Sequence, residues 1–403
     1  MKIRHFLYSV FLVIGSKSAV YANDYTPYHQ KLTIISALTA TSNQTIIPFE
    51  NQNGSIVLTV KINDFDRPLR LLFDTGADGM ALSQSLADEI GLKITRENNA
   101  SVVGGHTKIQ VSDGNRIKLN DLQLNNMGIA IFPSLGRDHY DGIIGNTLLR
   151  RYVTHIDYDN NQITLSKFDE FQVPQKSTSV SVDMSSGVML LPGELEIVQG
   201  KKYTGHFVFD TGASYDLICF RPFVRQNRLL VSGFKPEYQA ATVSMGTTSP
   251  TFYGKSHQFS IAPLKALDKL PVTLMGGSGS NENWNPGADG SIGVRLLSRY
   301  NITINAATNQ IYFSPSKLHA CPQDFILKNY QFGWDNQGNL NIIGNIGGDQ
   351  ISELTTGSHI KKIGEYSDIQ LKKNSALITD IISKSKSETT MISLENNKSI
   401  TLE

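Results

Sequence analysis

Two aspartates in this chain stand in the same local sequence. Asp74 and Asp210 each open the tetrapeptide Asp-Thr-Gly-Ala, at 74–77 and 210–213, directly behind the apolar runs Leu71–Phe73 and Phe207–Phe209. Two carboxyls of equal chemistry, one in each half of a duplicated unit, are what an acid–base dyad assembled across a pseudo-twofold axis requires. Brought into contact, the two cannot both ionise without strong repulsion, so they share one proton and titrate as a coupled pair. The ionised partner then takes a proton from a bound water, and the protonated partner donates to the carbonyl oxygen of a scissile bond. Hydrolysis of this kind uses neither a metal nor a covalent intermediate, so no cofactor is expected.

The neighbouring residues have tasks of their own in such a dyad. Thr75 and Thr211 can hydrogen-bond across the interface to the opposite half. Gly76 and Gly212 let the backbones approach where a Cβ would clash. The apolar residues behind each loop lower the local dielectric and raise the cost of a second charge.

A second motif repeats in the same order. Asp141-Gly142-Ile143-Ile144-Gly145, followed by Leu148-Leu149 and Arg151-Tyr152, returns as Asp289-Gly290-Ser291-Ile292-Gly293 with Leu296-Leu297 and Arg299-Tyr300. Asn161-Gln162-Ile163 likewise returns as Asn309-Gln310-Ile311. The copies lie 136 residues apart at the first motif and 148 at the second, so the later copy carries twelve extra residues between them. Asp141 and Asp289 form a second symmetrical acidic pair, but Asp before Gly commonly opens a turn, and a structural role is assigned to both.

The elements that must position these residues read as β-rich. Short apolar or alternating runs at Ser55–Val60, Leu69–Phe73, Ile117–Leu122, Met127–Phe132 and Phe207–Phe209 are broken by Gly, Asn and Asp. A helix is expected over Ser83–Ile90 with Gly91 as its C-cap, another after Gly145, and its counterpart after Gly293. The fold class is all-β, with two β-barrel-like lobes. Polar Lys167–Ser186 suits a connector, and Asn23–Glu50 fits a first strand, an arm or a removable propeptide. From about Leu318 the repeat ends, and short strands at 341–343, 360–363 and 389–394 with a helix over Ser375–Ser383 suggest a further small domain.

Composition narrows the classes. Over 403 residues, 40% hydrophobic and 18% charged content is that of packed globular domains, and a formal charge of +1 gives no basis for binding nucleic acid. Lys2, Arg4 and His5 precede the apolar stretch Phe6–Gly15, with Val20 and Ala22 at cleavage positions, the pattern of a secretory signal peptide cut after Ala22. That stretch falls short of the roughly 20 apolar residues that span a bilayer. An extracytoplasmic protein, periplasmic or secreted, is expected. Cys219 and Cys321 are the only cysteines, and a disulfide or two free thiols fit equally. The nine histidines show no metal-ligand spacing, so no metal site is expected. Asp78 reads as a solvated loop charge.

With these motifs in place, the chain resembles retropepsin-like aspartic proteases, with two copies fused in one polypeptide as in the pepsin-like enzymes. The resemblance covers roughly 51–317 and implies a bilobal acid-protease fold. Asp74 and Asp210 are then catalytic, supported by Thr75, Gly76, Thr211, Gly212, Ile144, Gly145, Ile292 and Gly293. It also implies substrate flaps, for which Gly104 and Gly105 in the first copy and Gly246 in the second are candidates, ordinary surface hairpins being the alternative. The domains follow as signal peptide 1–22, arm or propeptide 23–50, first lobe 51–168, linker 169–186, second lobe 187–317 and a final domain 318–403. The sequence departs from the family at Ser291, where an apolar residue is usual, and at Ala77 and Ala213, where pepsin-like members often carry a hydroxyl. Without those hydroxyls the expected pH optimum is less acidic than a pepsin-like enzyme's.

The last domain has a looser likeness, to PDZ domains. Phe332-Gly333-Trp334 would be its peptide-binding residues, taking an extended peptide or free C-terminus by strand addition. A small stabilising β domain is the other reading. The function implied is an aspartic endopeptidase acting on polypeptide substrates as a monomer. The alternatives are a peptide-binding protein that keeps the fold without turnover, and a two-carboxylate glycosidase. The last leaves Thr-Gly-Ala and the second motif unexplained.

Overall fold

Each Asp-Thr-Gly-Ala segment leaves the end of a buried strand, and the sheet around that strand is built twice. The computed structural model describes residues 7–8, 44–102, 105–135, 140–244, 247–277, 284–346 and 351–403. Apart from Leu7–Tyr8, the expected signal peptide lies outside these, as does 23–43 of the expected arm.

In the first half, Leu69–Phe73 runs antiparallel to Ser55–Ile62 and parallel to Gly142–Ile144. Gly142–Ile144 in turn pairs antiparallel with Met80–Ser83, which is parallel to Leu122–Phe132. The second half repeats each relation. Lys201–Phe209 is antiparallel to Leu190–Val198 and parallel to Gly290–Ile292, and Leu217–Cys219 joins Gly290–Ile292 to Pro271–Met275. Even the register matches, with Ile144 opposite Phe73 and Ile292 opposite Phe209. The sequence repeat is thus a repeat of sheet topology. Asp141 and Asp289 serve it symmetrically: their carboxylates accept from the backbone N–H groups of Arg70 and His206, each at 2.8 Å.

A six-stranded sheet joins the halves. Val153–Asp157 of the first copy and Tyr300–Asn305 of the second pair antiparallel at its centre, Thr154 opposite Ile304 and Ile156 opposite Ile302. The repeated asparagines explain the hairpins beside them. Asn161 and Asn309 take left-handed φ values of 54° and 53°, the conformation Asn tolerates in a tight turn, and Gln162–Ser166 and Gln310–Pro315 return from them. Gln44–Pro48 and Thr178–Ser181 form the edges of this sheet, so the end of the N-terminal arm and part of the expected connector are strands. One hydrophobic cluster runs through both halves, including Phe73, Ile156, Phe209 and Phe313. At roughly 1.5–3 kcal/mol for each such side chain buried, the strands under the two aspartate loops are firmly held.

Expected elements recur with two corrections. The first helix is Gln84–Ile90, capped by the Ser83 hydroxyl and by Gly91 at φ 77°. The run Ile117–Leu122 is not one strand: Asn120, at φ 49°, turns the chain between Gly105–Leu119 and Leu122–Phe132. After Gly293 a short helix spans Val294–Leu297, but after Gly145 there are only helical turns, closed by Arg150 N–H to Asn146 C=O at 3.1 Å and Tyr152 N–H to Leu148 C=O at 3.0 Å.

Residues 318–402 carry a separate hydrophobic cluster around Phe325, Phe332, Trp334, Ile342 and Ile381. It lies among a three-stranded sheet, a four-stranded sheet and the helices Asp368–Lys373 and Ser375–Lys384. Ser367 and Gln370 form a capping box on the first helix, and Asn374 caps the second. Among the described residues, no helix is long and apolar enough to cross a membrane.

Candidate active site

The buried strands deliver the two loops into contact. Asp74 N–H and Asp210 N–H each donate at 3.0 Å to a carbonyl of the partner strand, Ile144 and Ile292. Next, the threonines interlock. Thr75 Oγ1 donates to Phe209 C=O at 2.7 Å and accepts from Thr211 N–H at 3.0 Å; Thr211 Oγ1 donates to Phe73 C=O at 2.7 Å and accepts from Thr75 N–H at 3.0 Å. Both threonines are fully buried. Stranding any one of these buried groups would cost about 1–3 kcal/mol, so the four bonds fix one loop against the other.

This grip places the carboxyls. Asp74 Oδ1 accepts from Gly76 N–H at 3.0 Å and Asp210 Oδ1 from Gly212 N–H at 2.9 Å. A Cβ built on Gly212 would overlap the Asp74 carboxyl carbon and both of its oxygens. Gly212 therefore donates to one carboxylate while its α-carbon packs against the other, so both acids contact the same residue. Both are completely buried. Gly212→Ala forces a methyl into that contact and is expected to destabilise the fold by about 1–3 kcal/mol, the range for overpacking, read as a lower urea midpoint with unchanged m.

The supporting residues lie where the repeat put them. Gly145 N–H donates to Gly79 C=O at 3.1 Å and Gly293 N–H to Asp216 C=O at 2.9 Å, holding each apolar-apolar-Gly segment behind its aspartate loop. Gly104 and Gly246 fall outside the described residues. Gly105 begins the returning strand of the hairpin Arg96–Val102 and Gly105–Leu119, paired with Val102; the second copy has the hairpin Tyr238–Ser244 and Thr247–Lys255.

Three residues take places the sequence did not indicate. Asp78 is not a solvated charge but is ion-paired with Arg150. Ser291 is fully buried, and its Oγ donates to Asp210 Oδ2 at 2.9 Å. Its counterpart Ile143 has no polar side-chain atom. The signal was in the sequence as the one hydroxyl in an otherwise apolar repeat position. Third, Asp216 lies buried near Asp324, Arg295 and Arg299, and its carboxyl is pushed up to about 7 by burial and then by the Asp324 charge, against the two arginines.

Of Phe332, Gly333 and Trp334, Phe332 does not lie on a free strand edge. Tyr330–Trp334 is the middle strand of its sheet, paired with Phe325–Leu327 on one side and Leu340–Asn345 on the other. Phe332 stacks on Phe325 at 5.2 Å, Trp334 is buried, and a Cβ on Gly333 would press on Arg295 and Asp324. At Phe332 strand addition is blocked by the protein's own strands on both sides, whereas Gly333 and Trp334 are paired with Leu340–Asn345 alone.

The cysteines are separate, buried thiols. Burial pushes both thiol pKa values up, which leaves neither a ready nucleophile. Among the described residues no group of three or more His, Cys, Asp or Glu could hold a metal.

Comparison with known proteins bears on the first copy. No curated protein matches the chain. Among solved structures the chain is similar to an aspartic proteinase from Irpex lacteus, with 12% identity and a TM-score of 0.44 over 68% of this chain and 98% of that one. Residues 58–148 match the family model described as aspartyl protease, a span that holds both Asp74–Ala77 and Ile143–Gly145. That first copy of the repeat carries the sequence pattern of the aspartyl protease family.

Proposed function

We propose that this protein is an aspartic endopeptidase that hydrolyses extended polypeptides with a water activated between Asp74 and Asp210. The observation that carries this reading is the contact of both carboxyls with Gly212, held by reciprocal threonine bonds. A scaffold for binding alone would need neither acid. Two carboxyls in one dry contact hold a single proton between them, which supplies a base and an acid in the same site. The water between them loses a proton as it attacks the scissile carbonyl, and the carbonyl oxygen gains one. The strong repulsion of a second negative charge in this setting keeps the monoprotonated state populated over a broad acidic range. The leader at the N-terminus would deliver this activity outside the cytoplasm.

The test is digestion of a reduced, alkylated protein by the purified chain over a range of acidic to neutral pH. Internal cleavage is expected, blocked by a statine-type mimic of the tetrahedral intermediate and untouched by chelators or serine-directed reagents. A folded preparation that cleaves nothing at any pH would overturn the reading.

A further inference from the structure

One buried difference between the two halves lies directly against an aspartate. Ser291 Oγ lies 2.9 Å from Asp210 Oδ2, on a residue with no solvent exposure. Asp210 Oδ1 already accepts from Gly212 N–H, so each oxygen of this carboxyl has a donor fixed by the fold. In the first half Ile143 takes the corresponding position, opposite Leu72 as Ser291 is opposite Val208. A hydroxyl that donates to a carboxyl in a dry site favours its ionised form, because hydrogen bonds to charged groups are the stronger ones. The segments hydrogen-bonded to the Asp210 loop come from Met189, Thr75 and Ile292–Arg295. The titratable and charged side chains on the two loops are Asp74, Asp78 in its pair with Arg150, Tyr215, and Asp216 with Arg295, Arg299 and Asp324 about it, and Asp289 stands at the far end of the Ser291 strand.

We propose that Ser291 is a positioning residue that makes the two acids unequal, holding Asp210 as the carboxylate so that the shared proton resides on Asp74. The assignment rests on the peptidase reading and gives each acid its role. Asp210 takes a proton from the water as the water oxygen bonds to the scissile carbonyl carbon, and Asp74 gives its proton to the carbonyl oxygen, forming a neutral gem-diol. In the second step Asp210 gives its proton to the amide nitrogen as the C–N bond breaks. Asp74 recovers a proton from the diol hydroxyl, which restores the starting state with one carboxylic acid and one amine released.

The experiment compares Ser291→Ala, Ser291→Thr and the wild type. In the Asp74→Asn background, the 13C signal of the Asp210 carboxyl is titrated; its midpoint should rise by about one pH unit in Ser291→Ala, the order expected for losing a bond to a charged group. With Asp74 intact, the acidic limb of kcat/KM on a fluorogenic peptide should move up by a similar amount, and Ser291→Thr should restore the wild-type limb. An unchanged or lowered midpoint in Ser291→Ala overturns the role of Ser291 and leaves the peptidase reading standing. The midpoint shift together with a wild type that cleaves nothing sinks the peptidase reading and not the hydrogen bond.

Discussion

Asp74→Asn and Asp210→Asn should each lower peptide cleavage by at least about a thousandfold, because general acid–base catalysis by a positioned group contributes roughly 10²–10⁴ and each variant removes a partner the other cannot work without. The double variant should be no slower than either single one, since the pair acts as a unit. What makes the experiment decisive is the accompanying stability. Asn keeps the shape of Asp, and at Asp210 its carbonyl oxygen in the Oδ1 place can still accept from Gly212 N–H, while its NH2 in the Oδ2 place donates to Ser291 Oγ, whose hydroxyl turns to accept. It also removes the repulsion between two carboxyls packed over Gly212. The thermal midpoint should therefore hold or rise while turnover is lost, the pattern of a site that stores strain for function. Steady-state kinetics alongside calorimetry read both. A variant that keeps cleaving refutes the dyad, and one that loses activity by unfolding shows that the loops depend on the charge.

The parts of this site legible in the sequence are those encoded locally and twice. Asp-Thr-Gly-Ala behind a buried strand and the apolar-apolar-Gly segment gave the aspartates, the threonines and the glycines, because one physical arrangement had to be satisfied in both copies. The repeated asparagines marked hairpins for the same reason. What escaped depends on partners far along the chain. Ser291 looked like a weak packing residue until the parallel register against Val208 set its hydroxyl on Asp210. Asp78 finds Arg150 only once Gly145 is drawn to Gly79. In the second half Ser291 supplies the hydroxyl that Ala213 lacks, so the argument for a less acidic optimum is weakened for Asp210. Gly333 is a glycine for a reason that is also set by distant partners. It lies between two aromatic residues, and its φ is not in the left-handed region. Its small size is required because Arg295 and Asp324 lie over it.

That guanidinium is the other place where one substitution should matter greatly. Arg295 is buried and bidentate to Asp324, Nε to Oδ2 at 2.7 Å and Nη2 to Oδ1 at 2.8 Å, and it also reaches Asn53 C=O at 3.1 Å and Trp334 C=O at 3.3 Å. It therefore ties both halves of the repeat to the final domain, a few residues from Gly293. Arg295→Met leaves Asp324 without its bidentate partner and Asp216 with one arginine fewer, and breaking a buried pair from one side costs about 3–5 kcal/mol. The sign of the pH dependence follows from Asp216. Its folded pKa of about 7 lies above the roughly 3.9 of an unfolded aspartate, so between these values the folded state binds more protons. Its contribution to stability is then greatest at the acidic end and falls as pH rises through the window, by up to about 1.4 kcal/mol per pH unit. Removing the Arg295 charge extends that fall, so Arg295→Met should lose least against the wild type near pH 4 and most at pH 8. Asp216→Asn, which cannot ionise, should gain on the wild type as pH rises. Thermal midpoints of the three proteins from pH 4 to 8 check this, and an Arg295→Met curve parallel to the wild type at a constant offset would show that the guanidinium acts through packing and not through the two acids it faces.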